Sequence, residues 1–173
     1  MKIHLKLNED SINQAIQDVK AYEKRLAQMS DILCRSLVQE GIATARSRIL
    51  VWGAYDSHKL YESVEGFYDP VEHKGYIRVC ADDGEYGFNY AQVVEFGSGV
   101  NGRLGSSPGR PSDYQLDIHH HGERGWYYWK NGKWNHTLGQ IPRPFFWETY
   151  QELLEKAEGK GIKVRYYNVP SYY

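Results

Sequence analysis

Eight apolar residues, Ile12, Ile16, Val19, Tyr22, Leu26, Met29, Leu33 and Leu37, recur at steps of three and four. That spacing puts them on one face of an α-helix. Asp10 or Ser11 is read as the cap, and the helix is expected to run past Gly41 to about Ile49. A stripe this long can cross a small domain. It is the pattern of a core helix lying on a sheet, with a heptad-like coiled coil as the alternative.

The rest of the chain supplies what such a helix would lie on. Ahead of it, residues 3–7 alternate Ile3, Leu5 and Leu7 with polar residues, as in a half-buried strand. After Leu60 the pattern changes to strands. "LYESVEGFYDP" and "GYIRVCAD" flank a turn near Pro70 to Gly75 and predict a hairpin. "YGFNYAQVVEFG" is a short apolar element, helix or strand. Residues 97–113 contain too many glycines and prolines for a periodic element and are expected to be a loop.

Asn131-Gly132, between aromatic runs, is the strongest hairpin signal in the chain, because both residues tolerate positive φ. That turn places Trp129 opposite Trp134 and Tyr127 opposite His136 on one face. Trp126 and Tyr128 take the other face, across from Thr137 and Asn135. "IPRPFFWETYQELLEKAEGKG" predicts a helix with Pro144 in its first turn, an apolar stripe of Phe146, Tyr150, Leu153, Leu154 and Ala157, and Gly159 or Gly161 as its end. Residues 162–169 alternate as a last strand. The order predicts an α+β fold: a long N-terminal helix and a C-terminal helix packed on a small antiparallel sheet. The 173 residues suit one domain, with 98–124 as a flexible arm and 125–138 as an inserted aromatic hairpin.

Composition narrows the function classes. A net charge of −1 gives no overall attraction to nucleic acid or anionic lipid. The sequence contains 15 Tyr, 5 Trp and 5 Phe, side chains that suit extensive contact surfaces. Cys34 and Cys80 lie far apart and fit no ligand spacing, which predicts reduced thiols. "MKIHLKLNED" lacks the apolar core of a signal peptide, and no run approaches the ~18 apolar residues of a membrane span.

Four chemistries can be weighed on the residues. "GSGVNG" at 97–102 matches the dinucleotide-binding glycine pattern, but "RLGSSPGRP" follows it and cannot start the phosphate-binding helix. His119, His120 and His121 suggest zinc, with His136 or Glu123 completing a set. Neighbours in an extended chain point to alternate sides, however, and neither H-E-x-x-H nor C-x-x-C is present. Glu95, flanked by Val94 and Phe96, is either a tuned acid or a structural carboxylate that pairs with an arginine or caps backbone N–H groups. The ribbon of Trp126, Trp129 and Trp134 could stack sugars or bases, although only Arg124, Lys130 and Lys133 add positive charge. The two competing functional classes are therefore a zinc-dependent hydrolase using His119, His120, His121 and His136, and an aromatic glycan- or nucleic-acid-binding module.

Three motifs in order resemble a family of tailed-phage proteins. "AYDSHKLYESV" resembles that family's Asp-Thr/Ser-Gly-x-Leu-x-x-Ser-Ile/Val pattern through Asp56, Ser57, Leu60, Ser63 and Val64, with His58 in place of the glycine. "YAQVVEFGSG" is similar to its second hallmark through Tyr90, Ala91, Val94, Glu95, Phe96 and Gly97. "GQIPRPFFWETYQELLEK" looks like its Pro-Phe-Phe helix through Pro144, Phe145 and Phe146, and "GWYYWKNGKWNHTLGQ" like a hairpin often inserted before it. The family is that of head–tail joining or tail-completion proteins, named after gene product ten of phage HK-ninety-seven, and the resemblance covers roughly residues 10–158.

The resemblance implies a structural part of the virion neck, not an enzyme, working without cofactor or metal. It implies a ring-type homo-oligomer around the tail axis that touches other neck and tail proteins. Genome DNA would pass through the channel without specific recognition. The expected locations are the virion and, during assembly, the host cytoplasm, with no membrane partner. Gly97 would let the chain leave the "VVEF" element sharply, and Glu95 would make fixed hydrogen bonds there. Phe96 and Phe146 would pack between the long helix and the sheet, and Phe145 is a further structural or interface candidate. The 98–124 arm would order only on a neighbouring subunit, anchored by Leu104, Tyr114, Leu116 and Ile118, with Arg103 and Arg110 meeting an acidic surface. Trp126, Trp129 and Trp134 complete the expected contact residues.

Overall fold

A computed structural model describes residues 8–54, 58–81, 89–116 and 122–167. Helix α1 spans Glu9–Val51, 43 residues, about 65 Å long at 1.5 Å per residue. Its cap is Asn8, two residues before the earliest expected position, whose side chain accepts the Ser11 N–H at 3.0 Å. Glu9 and Asp10 then lie in the first turn, where negative charge complements the exposed N–H groups. A short helix α2 (Lys59–Glu62) leads into strands β1 (Val64–Asp69) and β2 (Lys74–Val79), which pair antiparallel with Val64 opposite Val79. In the turn between them, the Asp69 carboxylate accepts the Val71 and Glu72 N–H groups.

The element left open between helix and strand is a helix, α3 (Tyr90–Phe96). Asn89 caps it by accepting from Ala91, and the same side-chain oxygen holds the Ala81 N–H at 2.9 Å, which ties α3 to the end of β2. A single 3₁₀ turn, Asn101–Arg103, follows. Strands β3 (Trp126–Lys130) and β4 (Lys133–Thr137) form the second hairpin, and helix α4 (Phe145–Ala157) completes the elements. The fold is α+β: two long helices packed with small antiparallel sheets. Among the described residues the sheets are two separate two-stranded ribbons rather than one.

The core forms around the C-terminal half of α1. Ala45 and Ile49 meet Leu60, Val64, Ala81, Ala91, Val94 and Phe145. A second cluster joins Leu37 to Leu153 and Ala157, with Leu33, Ile77, Ile162 and Val164 packed against it. Gly66 sets how closely β1 approaches α1, since a Cβ there would stand 2.6 Å from Cγ1 of Val38. Across the seam between α1 and α4, Arg48 faces Glu148 and Glu152, and Lys156 bridges Glu40 and Glu152.

Three expectations need correction. The α1 stripe is a core face only at its C-terminal end. Leu37 is buried, whereas Ile12, Ile16, Val19, Tyr22, Leu26 and Met29 are 41% to 67% exposed, because the rest of the body begins near Leu33. In α4 the buried line is Phe145, Thr149, Leu153 and Ala157, one position away from the expected start, with Phe146 half-buried and Leu154 41% exposed. Residues 162–167 form no strand. They run beside α4 and are held by side-chain packing of Ile162 and Val164 rather than by a ladder. The expected strand at 3–7, and residues 168 and 169 of the last one, lie outside the described residues.

Candidate functional site

The "YAQVVEFGSG" and "GQIPRPFFWETYQELLEK" segments meet at one corner. Helix α3 ends at Gly97, whose φ of +82° favours glycine and whose N–H closes the helix on the Val93 carbonyl. A Cβ at Gly97 would stand 2.9 Å from each of the Gln140 oxygen, the Gly102 Cα and the Pro142 Cδ, so the close crossing of these segments also requires glycine. Two residues earlier, Glu95 is buried and points at the start of α4. Its two carboxylate oxygens accept the N–H groups of Phe146 and Trp147, each at 2.9 Å. Pro144 provides no side-chain cap, so Glu95 caps α4 from a different helix. Negative charge there also suits the helix N-terminus.

Glu95 is electrostatically loaded. Burial pushes its carboxyl up to about 7, against the downward pull of the two backbone donors and of the Tyr166 hydroxyl. Tyr166 is shifted upward as well, by its own burial and by the Glu95 charge. The Tyr166 ring packs among Phe146, Trp147 and Tyr150, with centroids 5.9, 5.3 and 5.7 Å away. This aromatic cluster covers the Glu95 corner. The strand reading of 162–169 did not anticipate it, and Tyr166 carries no local sequence signal for the contact.

The expected arm is, through residue 116, part of the body. Ser98 and Gln140 exchange backbone hydrogen bonds, and the Gly99 N–H donates to the Leu116 carbonyl. Ser107 donates to the Glu95 carbonyl, and Tyr114 donates to Gly97 at 3.0 Å. Arg110 donates to the carbonyls of Phe96 and Gly102, at 2.6 and 2.9 Å. Side-chain donors on carbonyls therefore order a segment whose glycines and prolines exclude regular structure. Phe96 packs edge-on against Tyr114, 5.0 Å away, rather than between α1 and a sheet. Arg103 faces Glu123 of the same chain at 3.6 Å. Residues 117–121, including Ile118, His119, His120 and His121, lie outside the described residues.

The aromatic hairpin has the expected register. Asn131 and Gly132 turn with φ of +53° and +74°, and Trp129 pairs with Trp134 while Tyr127 pairs with His136. The two tryptophans meet edge to face at 5.4 Å, and Tyr127, Trp129 and Trp134 are 60% to 68% exposed. His136 is engaged through Nε2 with the Arg124 carbonyl at 2.8 Å. The opposite face of the ribbon, Trp126 and Tyr128, lines a cleft of about 500 Å³ with His58, Tyr90, Gln140 and Arg143.

Another polar cluster lies where the body meets the projecting half of α1. Tyr68 and His73 converge on Oδ1 of Asp31, at 2.5 and 2.8 Å. The hydrogen bonds from Tyr68 and His73 hold the Asp31 carboxyl below its usual range, while burial and the Asp31 contact push the Tyr68 hydroxyl up to about 12. The arrangement fastens the β1–β2 turn to the helix. Among the described residues, no group of three or more metal-binding side chains converges, and no helix is long and apolar enough to cross a membrane. Comparison with protein-family models, with curated proteins and with solved structures gave no match.

Proposed function

We propose that this chain is a structural virion protein of a tailed phage or prophage, acting at the head–tail neck as a tail-completion or head–tail joining component. Several copies would assemble around the tail axis, together with other neck and tail proteins, without catalysis and without a cofactor. The observation that carries the reading is the Glu95 corner. The "VVEFG" and "PRPFF" segments, which resemble two hallmarks of that family, form one physical unit in which Glu95 caps the helix that Phe145 and Phe146 begin. His58 adds support. It occupies the position of the family's glycine and has φ of +61°, the left-handed conformation that a glycine adopts without strain.

Assembly by surface complementarity needs apolar area outside the core, and two such areas exist: the Tyr127, Trp129 and Trp134 face and the N-terminal stripe of α1. The test is genetic. Deleting the gene from its phage or prophage should leave filled heads and finished tails that do not join, visible by electron microscopy and repaired by the gene supplied in trans. Joined particles from the deletion would remove the reading. The exposed tryptophan face also favours a second reading, a glycan- or single-strand-binding module. Titration of the purified protein with oligosaccharides and oligonucleotides, followed by tryptophan fluorescence, separates the two.

A further inference from the structure

Every residue of α1 from Ile16 to Ser30 is exposed, so this part of the helix projects from the body with solvent around it. Most of its apolar residues keep a repeat of seven, with Ile16 and Ile32 on either side of it. Ile12, Val19, Leu26 and Leu33 form one series, and Ala15, Tyr22 and Met29 the other, three residues later. These are the a and d positions of a heptad, and a seam of that period fits another helix rather than a sheet or a ligand. We infer that the projecting half of α1 pairs with the same segment of a second copy of this chain, as an antiparallel coiled coil with twofold symmetry.

The direction follows from where the body sits. The stripe continues through Leu33 to Leu37, and there it is covered by the chain's own Leu153, Ala157, Ile162 and Val164. In a parallel pair facing through this stripe, both bodies would need the same space beyond Leu33. In an antiparallel pair, each partner helix ends where the other body begins. With the twofold axis between Lys20 and Ala21, Ile12 lies over Met29 of the second copy, Ala15 over its Leu26, and Val19 over its Tyr22. The overlap from Glu9 to Ile32 is about 36 Å of helix. It is the longest register that keeps a and d residues in layers without running into the body.

Charge agrees with this direction. Asp18 and Arg25 both occupy the g position, next to the first series, and an antiparallel pair sets g against g. Asp18 of each copy then faces Arg25 of the other, twice per dimer. A parallel pair would instead set Asp18 against Glu23, with like charges at both contacts. The inference concerns the free protein and does not rest on the neck reading, since a twofold pair does not by itself close a ring.

Sedimentation equilibrium on the full chain tests it. The wild type should be a concentration-dependent dimer, and Leu26→Glu a monomer with the same body, as checked by unchanged near-ultraviolet circular dichroism. Asp18→Arg and Arg25→Asp should each weaken the dimer by roughly tenfold, and the double exchange should restore it. All three substitutions lie on the exposed part of the helix, so folding of the body is not at stake. A wild type that stays monomeric up to high concentration, or forms only ring-sized particles, overturns the inference. So does tighter association of Asp18→Arg, which is the signature of a parallel pair.

Discussion

Glu95 and Phe146 stand 51 residues apart in the chain and meet at 2.9 Å, carboxylate oxygen to backbone N–H. The contact fixes the rotation of α4. Because the carboxylate holds the N–H groups of both Phe146 and Trp147, the preceding residue, Phe145, is the one turned into the core. Glu95→Ala should therefore leave two N–H groups in a buried corner without an acceptor. We expect a loss of about 2–4 kcal/mol in denaturant unfolding. A change below about 0.5 kcal/mol would mean that water or another group caps the helix.

The same carboxyl makes stability depend on pH in an unusual direction. Its ordinary value of 4.5 is raised to about 7 in the folded protein, chiefly by burial. The folded state then holds the proton more tightly than the unfolded chain. Its contribution is complete below about pH 4.5 and is lost as pH rises through about 7, on the order of 3 kcal/mol in all. Other carboxylates, such as Asp31 and Glu152, are shifted downward. The quantity to measure is therefore the stability of wild type minus that of Glu95→Gln, followed from pH 4.5 to 8. It should fall across that range; a rise would show that Glu95 is ionised throughout.

Phe145 and Phe146 separate core from periphery. Phe145 is 1% exposed in the main cluster, whereas Phe146 packs against that cluster from the side. Phe145→Ala should cost about 3–5 kcal/mol, the range for deleting a buried ring. Phe146→Ala should cost clearly less, on the order of 1–2 kcal/mol, because part of its surface is already wet. Equal denaturant midpoints for the two variants would contradict the helix rotation described.

These contrasts show what the sequence could convey. Local signals carried most of the elements: the three-and-four spacing gave α1, and Asn131-Gly132 gave the β3–β4 register down to the facing of Trp129 and Trp134. What did not come through depends on distant residues. The α4 stripe starts one residue earlier than its spacing predicts, with Leu153 and Ala157 buried as expected, because Glu95, on another helix, holds the first turn. Along α1 the periodicity leaves core face and coiled-coil seam both open, because it reports that a face is apolar, not what covers it. The segment 98–116 shows no periodic signal because its order comes from Ser107, Arg110 and Tyr114 reaching carbonyls 12, 14 and 17 residues earlier in the chain.

Arg110 tests that last point. It donates to the carbonyls of Phe96 and Gly102 and spans the turn between them. Arg110→Ala should lower stability by about 1–3 kcal/mol, since charged donors on buried carbonyls are costly to remove. Hydrogen exchange should rise together at Gly99, Gly102 and Gln140, whose N–H groups bond within this unit. An unchanged midpoint with unchanged protection would mean that the remaining bonds, among them those of Ser107 and Tyr114, hold the segment without Arg110.

The exposed tryptophan pair separates folding from assembly. Trp129 and Trp134 touch each other across the hairpin, at 60% and 66% exposure. Replacing both by Ser removes one cross-strand aromatic contact, worth roughly 0.5–1.5 kcal/mol, and no core packing. Thermal unfolding should therefore change little, while the far face of the ribbon, where Trp126 and Tyr128 line the cleft, stays in place. On the proposed neck function, the same variant should fail to restore infectious particles to a phage or prophage lacking the gene. The loss would be much larger than its stability change explains, because two wide apolar rings on a surface are contact area in waiting. Normal particle yield from a stably folded Trp129→Ser, Trp134→Ser variant would remove this face from the assembly surfaces. It would leave the exposed α1 stripe as a candidate assembly surface.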